Sequence, residues 1–148
     1  MFETIYRKFI SLFGSNLAEH LSGWDETIGD YSKSNIFSIV GIITLALVII
    51  ACVTYYYFLN HPRQNRWWKW LLIWLLPIAV LNFTIGFGVT FVDMLSENIS
   101  SDIADISWLN CLGFGFTNFI ISALLFLFIS LLIKWGSQNC KYSPFIKF

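Results

Sequence analysis

Three long apolar runs organise the chain. Ile36–Leu59 carries no charge, Trp67–Val92 carries only Lys69 one turn from its start, and Trp108–Ile133 carries none and stops at Lys134. At about 1.5 Å of rise per residue, a helix of some two dozen residues covers the roughly 30 Å hydrocarbon core of a bilayer, whereas a core helix of a soluble domain is shorter and apolar on one stripe only. The runs therefore predict three transmembrane helices over 36–59, 67–92 and 108–133. Tyr55, Tyr56, Tyr57, Trp67, Trp68, Trp70, Trp108 and Trp135 cluster at the run ends, where amphipathic rings favour the headgroup level. Pro77 predicts a bend in the second helix, since a mid-helix proline removes one backbone bond and crowds the preceding turn.

Between the runs the pattern changes. In residues 1–22, Phe2, Tyr6, Phe9, Phe13, Leu17 and Leu21 recur at helical spacing, with Glu3, Arg7, Ser11, Ser15 and Glu19 on the other side; this is an amphipathic helix that lies in a membrane interface or braces the spans. Residues 23–35 read as a polar connector. A second, shorter amphipathic segment is expected between the second and third runs, with Leu95, Ile99, Ile103 and Ile106 sharing a face. Residues 134–148 form a basic tail. The predicted fold class is an all-α integral membrane protein: an N-terminal amphipathic helix, three transmembrane helices making one domain over 36–133, and a short amphipathic helix in the acidic loop.

Composition agrees: 57% of the 148 residues are hydrophobic, 19% aromatic and 12% charged, far from the soluble average. The charges cancel in sum, nine basic against nine acidic, but they are sorted in position. Arg63 and Arg66 lie between the first two runs with Lys69 at the start of the second, and Lys134, Lys141 and Lys147 follow the third, with no acid in either region. Every acidic residue precedes the first run or lies between the second and third, as Asp93, Glu97, Asp102 and Asp105 do. By the positive-inside rule the C-terminus and the first loop face the cytoplasm and the N-terminus and acidic loop face outward, in a plasma or inner membrane. Arg7 and Lys8 interrupt the N-terminal apolar content, so it does not read as a signal peptide.

Candidate chemistry is sparse. His20 and His61 are expected on opposite sides of the membrane, and no phosphate-binding glycine loop, nucleophile–base pair or metal-binding His/Glu pattern is present, so neither an enzyme nor a cofactor or metal site is expected. Cys52, Cys111 and Cys140 are too dispersed for a disulfide framework or a cysteine metal cluster. The runs hold no ionisable residue at mid-depth, which argues against a proton relay. Asp93 and Glu97 stand one helical turn apart, and the acidic loop suits a vestibule that concentrates cations; a hard divalent cation needs more oxygens than this spacing supplies. Asn98-Ile99-Ser100 is a glycosylation acceptor in a eukaryotic secretory host. What the spans do hold is amides and hydroxyls: Asn82, Thr84 and Thr90 in the second, Asn110, Thr117, Asn118, Ser122 and Ser130 in the third. In hydrocarbon such groups bond across helix interfaces or line a pore.

One motif is more specific. Thr84 to Gly88 reads TIGFG, which resembles the TVGYG filter loop of potassium channels, where backbone carbonyls replace the hydration shell of K⁺. The resemblance implies a pore loop in which Thr84, Gly86 and Gly88 face the ion. The sequence departs from that family at both flanks, with Phe83 where a further Thr is usual and Val89 where Asp is usual. A related string, LGFGFT, recurs in the third run with Gly113 and Gly115, so the glycines equally suit close helix approach within or between protomers. Three readings follow: a homo-oligomeric pore or membrane-permeabilising effector; a non-conducting membrane subunit docking a protein partner through its N-terminal helix or basic inner loop; and a potassium-channel-like pore. The lipid bilayer and further copies of the chain are the expected partners, and nucleic acid is not.

Overall fold

The computed structural model describes residues 1–25, 28–59, 67–95 and 106–136, and it is 85% helical. Three helices are long and apolar enough to cross a membrane: a first span Ile36–Leu59, a second Trp70–Leu95 and a third Trp108–Ile133. The chain is a membrane protein by that criterion. The expected amphipathic helix of the acidic loop, with Glu97, Asp102 and Asp105, lies outside the described residues, as do His61, Arg63, Arg66, Cys140 and the tail beyond residue 136.

The chain divides into two compact units that each draw on all three spans: residues 1–43 with 82–118, and residues 44–81 with 119–148. The first unit is built around the N-terminal arm. Expected as one helix over residues 1–22, the arm forms three short ones, Phe2–Arg7, Ile10–Phe13 and Ser15–Leu21. The cause is local: Gly14 joins the last two with φ 87 and ψ 156, a backbone conformation open essentially only to glycine. The apolar face is still used as its spacing predicts, with Tyr6, Phe13, Leu17 and Leu21 fully buried. Tyr6, Phe13, Phe37 and Phe114 form one aromatic cluster, with ring centroids 5.4 to 6.2 Å apart, in which edge and tilted contacts suit the ring quadrupoles.

The connector is not wholly irregular. Trp24–Asp25 and Asp30–Tyr31 make a two-stranded antiparallel ladder, Trp24 opposite Tyr31, with those two rings edge to face at 5.1 Å. Gly29 supplies the positive φ of 69 that the return needs.

The second unit packs Val48, Cys52, Tyr55, Tyr56, Trp70 and Phe126 into a buried core. Phe126, Ser130 and Lys134 follow at four-residue intervals and are all buried; Cys52 Sγ lies 3.7 Å from Ser130 Oγ. Two segments here, Thr54–Leu59 and Trp70–Leu75, are π-helical. The second ends two residues before Pro77, where the expected bend takes the form of a widened turn. Proline cannot donate to the carbonyl one turn back, and a shift in hydrogen-bond register absorbs the loss.

Candidate functional site

Of the span residues singled out in the sequence, Asn82, Thr84, Gly86, Gly88, Thr90, Asn110, Gly113, Gly115, Thr117 and Asn118 fall in the first unit, and Ser122 and Ser130 in the second. Asn118 is the centre of the first set. Its Nδ2 donates to the Asn82 carbonyl at 2.7 Å, and its Oδ1 accepts from the Tyr6 hydroxyl at 2.6 Å. Both ends of the amide are thus used inside one chain, and Tyr6, Asn82 and Asn118 are fully buried. Thr90 and Thr117 are buried as well; their hydroxyls turn back onto their own helices, Thr90 onto the Gly86 and Phe87 carbonyls and Thr117 onto the Gly113 carbonyl. This back-bonding is the usual way a hydroxyl is satisfied within an apolar helix.

The four glycines have three different surroundings. Gly86 and Gly115 mark the close approach of the second and third spans: a Cβ on Gly86 would stand 3.0 Å from Asn118 Cβ and 3.3 Å from Gly115 Cα, and one on Gly115 would meet Phe87 and the Phe83 carbonyl. Gly113 instead receives the arm, pressed against the Leu12 carbonyl and Phe13. Gly88 faces open space, and Thr84, one turn before it, is exposed. The two related glycine strings therefore pack on each other within one protomer through one glycine each.

TIGFG lies entirely within the continuous helix Leu76–Leu95. Helical carbonyls run along the axis and close i→i+4 bonds, whereas a filter needs an extended loop that turns them toward a pore. The resemblance to a potassium-channel filter stops at the residue string.

Two polar contacts tie the arm elsewhere. Glu3 accepts from Arg7 Nε at 2.8 Å and from Asn35 Nδ2 at 2.8 Å, and the Ser22 hydroxyl lies 3.3 Å from the same carboxylate. The Asn35 bond, together with Arg7, holds the Glu3 carboxyl below its ordinary value despite the opposing effect of partial burial. At the arm's far end His20 Nε2 lies 3.1 Å from Asp93 Oδ2. Asp93, expected as part of an acidic vestibule, is thereby engaged by the arm.

The roles of Tyr6, His20 and Glu3 as ties are not legible in the residue pattern. Tyr6 stands among phenylalanines at a helical interval, and its hydroxyl was the one available signal: a buried phenol needs an acceptor, and the spans offer amides. Among the described residues no group of three or more His, Cys, Asp or Glu is arranged to hold a metal ion. No family model, curated protein or solved structure matches the chain.

Proposed function

We propose that this is a self-associating membrane protein whose assembled form opens a homo-oligomeric pore or otherwise permeabilises the bilayer. The observation that carries this reading is the exposed face of the second span. Only 17% of its apolar window is buried, against 33% in each of the other two, and that face presents exposed Thr84 and open Gly88 four residues apart. Small residues at this spacing let helices from separate chains approach closely, which is how helices associate where lipid removes the hydrophobic driving force. Asn118 uses both ends of its amide within the chain, so association relies on this strip.

The test is reconstitution of purified protein into liposomes with measurement of solute flux, alongside its mass in mild detergent. Gly88→Leu fills the strip and is expected to weaken the oligomer about tenfold, equivalent to about 1.4 kcal/mol, and to reduce flux; Gly88→Ala keeps both close to the parent. A monomer at all concentrations, with no flux, overturns the reading. K⁺-selective flux that Gly88→Ala abolishes would restore the filter instead.

A second reading, a non-conducting subunit that docks a protein partner, is favoured by one feature. Met1, Ile5 and Leu12 stand exposed on the arm's outward side, beside exposed Lys8. Co-purification of a stoichiometric second protein, lost in Ile5→Ser/Leu12→Ser, with no flux from the pure chain, supports that alternative.

A further inference from the structure

The arm makes a side-chain bond toward each of the three spans: Glu3 to Asn35, immediately before the first; His20 to Asp93 in the second; Tyr6 to Asn118 in the third. Two glycine notches receive it. Gly41 of the first span lies under the Phe2 side chain and Gly113 of the third under the Leu12 carbonyl, so a side chain at either position would displace the arm. Beneath it lies Asn118, which with Ser22, Asn82, Thr90 and Thr117 makes up the fully or nearly fully buried polar residues of this unit among those described.

The bonds that hold the arm differ in kind from those that form a span. Its helices have six, four and seven residues, below the length at which a helix persists in water on its own. It keeps its conformation by being docked. Withdrawal of Tyr6 takes a buried donor from Asn118 Oδ1, and losing a hydrogen bond in an apolar setting is costly. Water is the donor that replaces a hydroxyl, and Asn82 and Thr90 of the second span with Thr117 and Asn118 of the third are the polar groups that can retain it.

We propose that the N-terminal arm is an autoinhibitory clasp: docked, it seals the polar face around Asn118 with the Tyr6 hydroxyl, and lifted, it admits water to that face. This rests on the pore reading, for which it supplies the closed state. The Phe13, Leu17 and Leu21 contacts favour the docked state, and loss of the Tyr6–Asn118 bond shifts the balance toward the lifted one. Lifting the arm gives up the Glu3–Asn35, His20–Asp93 and Tyr6–Asn118 contacts and leaves the Asn118–Asn82 bond between the spans in place.

The experiment uses full-length protein with Cys52→Ala and Cys140→Ala, leaving Cys111 as reporter. Cys111 is buried with its thiol against Thr90 of the second span, so it reports on the polar face itself, and its neighbours Asn110 and Gly113 lie against the arm at Gly14 and Leu12. Labelling by a charged maleimide is timed in nanodiscs, where both membrane faces are open to reagent, and dye release is measured from liposomes. Three proteins are compared: the parent, Tyr6→Phe, and Tyr6→Phe carrying Phe2→Cys/Gly41→Cys in the oxidised state. A Cβ at Gly41 stands 2.9 Å from Phe2 Cβ, so relaxation of under about 1 Å reaches disulfide range. Tyr6→Phe is expected to label Cys111 about tenfold faster, the change that loss of one buried hydrogen bond produces, and to raise dye release in parallel; the disulfide returns both to the parental level. Equal labelling in parent and Tyr6→Phe, or release that the disulfide leaves unchanged, overturns the clasp and leaves the pore reading standing. Labelling that follows the arm while no variant releases dye overturns the pore reading, and the gate with it.

Discussion

Gly86 and Gly88 are two residues apart in sequence and opposite in consequence. A methyl added at Gly86 enters the contact with Asn118 and Gly115, while one at Gly88 meets nothing. Gly86→Ala is expected to lower stability by about 1–3 kcal/mol, the usual cost of overpacking. Gly88→Ala is expected to be neutral or stabilising by up to about 1 kcal/mol, because alanine loses less backbone freedom in a helix. Thermal unfolding in detergent separates the two. Asn118→Leu strips both Tyr6 and the Asn82 carbonyl of a partner and is expected to cost about 2 kcal/mol, read as a lower midpoint of the same unfolding. Glu3 predicts a pH effect. Its bonds favour the ionised form, so its contribution to arm docking is fully present above the ordinary value of 4.5 and is lost as pH falls through the lowered one. Glu3→Gln should therefore flatten the acid limb of an arm-docking titration, followed by hydrogen exchange of residues 2–21; an unchanged acid limb counts against the assignment.

At the level of elements, the spans were legible because an uninterrupted apolar run of this length has few other solutions. Their ends moved slightly, with the second extending to Leu95 rather than Val92. The arm was half legible. Of the six residues its spacing put on one face, Tyr6, Phe13, Leu17 and Leu21 are buried and Phe2 and Phe9 are only partly so, and its segmentation depended on Gly14 adopting a conformation that hydrophobic pattern does not encode. Gly14→Ala is expected to destabilise arm docking by about 1–3 kcal/mol, the strain of a side chain at that φ and ψ, seen as faster hydrogen exchange of residues 10–21. The connector's hairpin was not read at all. A two-residue strand has no periodicity, and its determinants, the Trp24–Tyr31 pair and Gly29, are visible only once their register is known. Of the candidate site, the amides and glycines of the spans were legible as a class, because polar and small groups in apolar helices must be accommodated somewhere. Which glycine met a span, which met the arm and which met nothing depended on helix rotation, and the low amphipathicity of all-round apolar helices leaves that rotation unspecified.

For the whole molecule, the sorting of acids and bases remains the argument for orientation. The His20–Asp93 contact is consistent with it, since it brings the arm and the end of the second span to the same side. With the N-terminus outside, an impermeant thiol reagent added to intact cells is expected to label Asn16→Cys and to miss Gln64→Cys, in a background without native cysteines. The reverse pattern inverts the protein in the membrane, and labelling of both sites is incompatible with three spans.

The separation of Tyr6 from its acceptor has a consequence for biogenesis. The two residues are 112 positions apart, so at about 5–20 residues per second the arm waits roughly 6–22 s during synthesis before Asn118 has even been polymerised. Throughout that interval its apolar face has no third span to cover, and the bilayer surface is the nearest place to rest it. The Tyr6–Asn118 bond is therefore among the last contacts the first unit can make, and a nascent chain arrested before the third span holds its arm without that bond, with only Asn35, Gly41 and Asp93 to receive it.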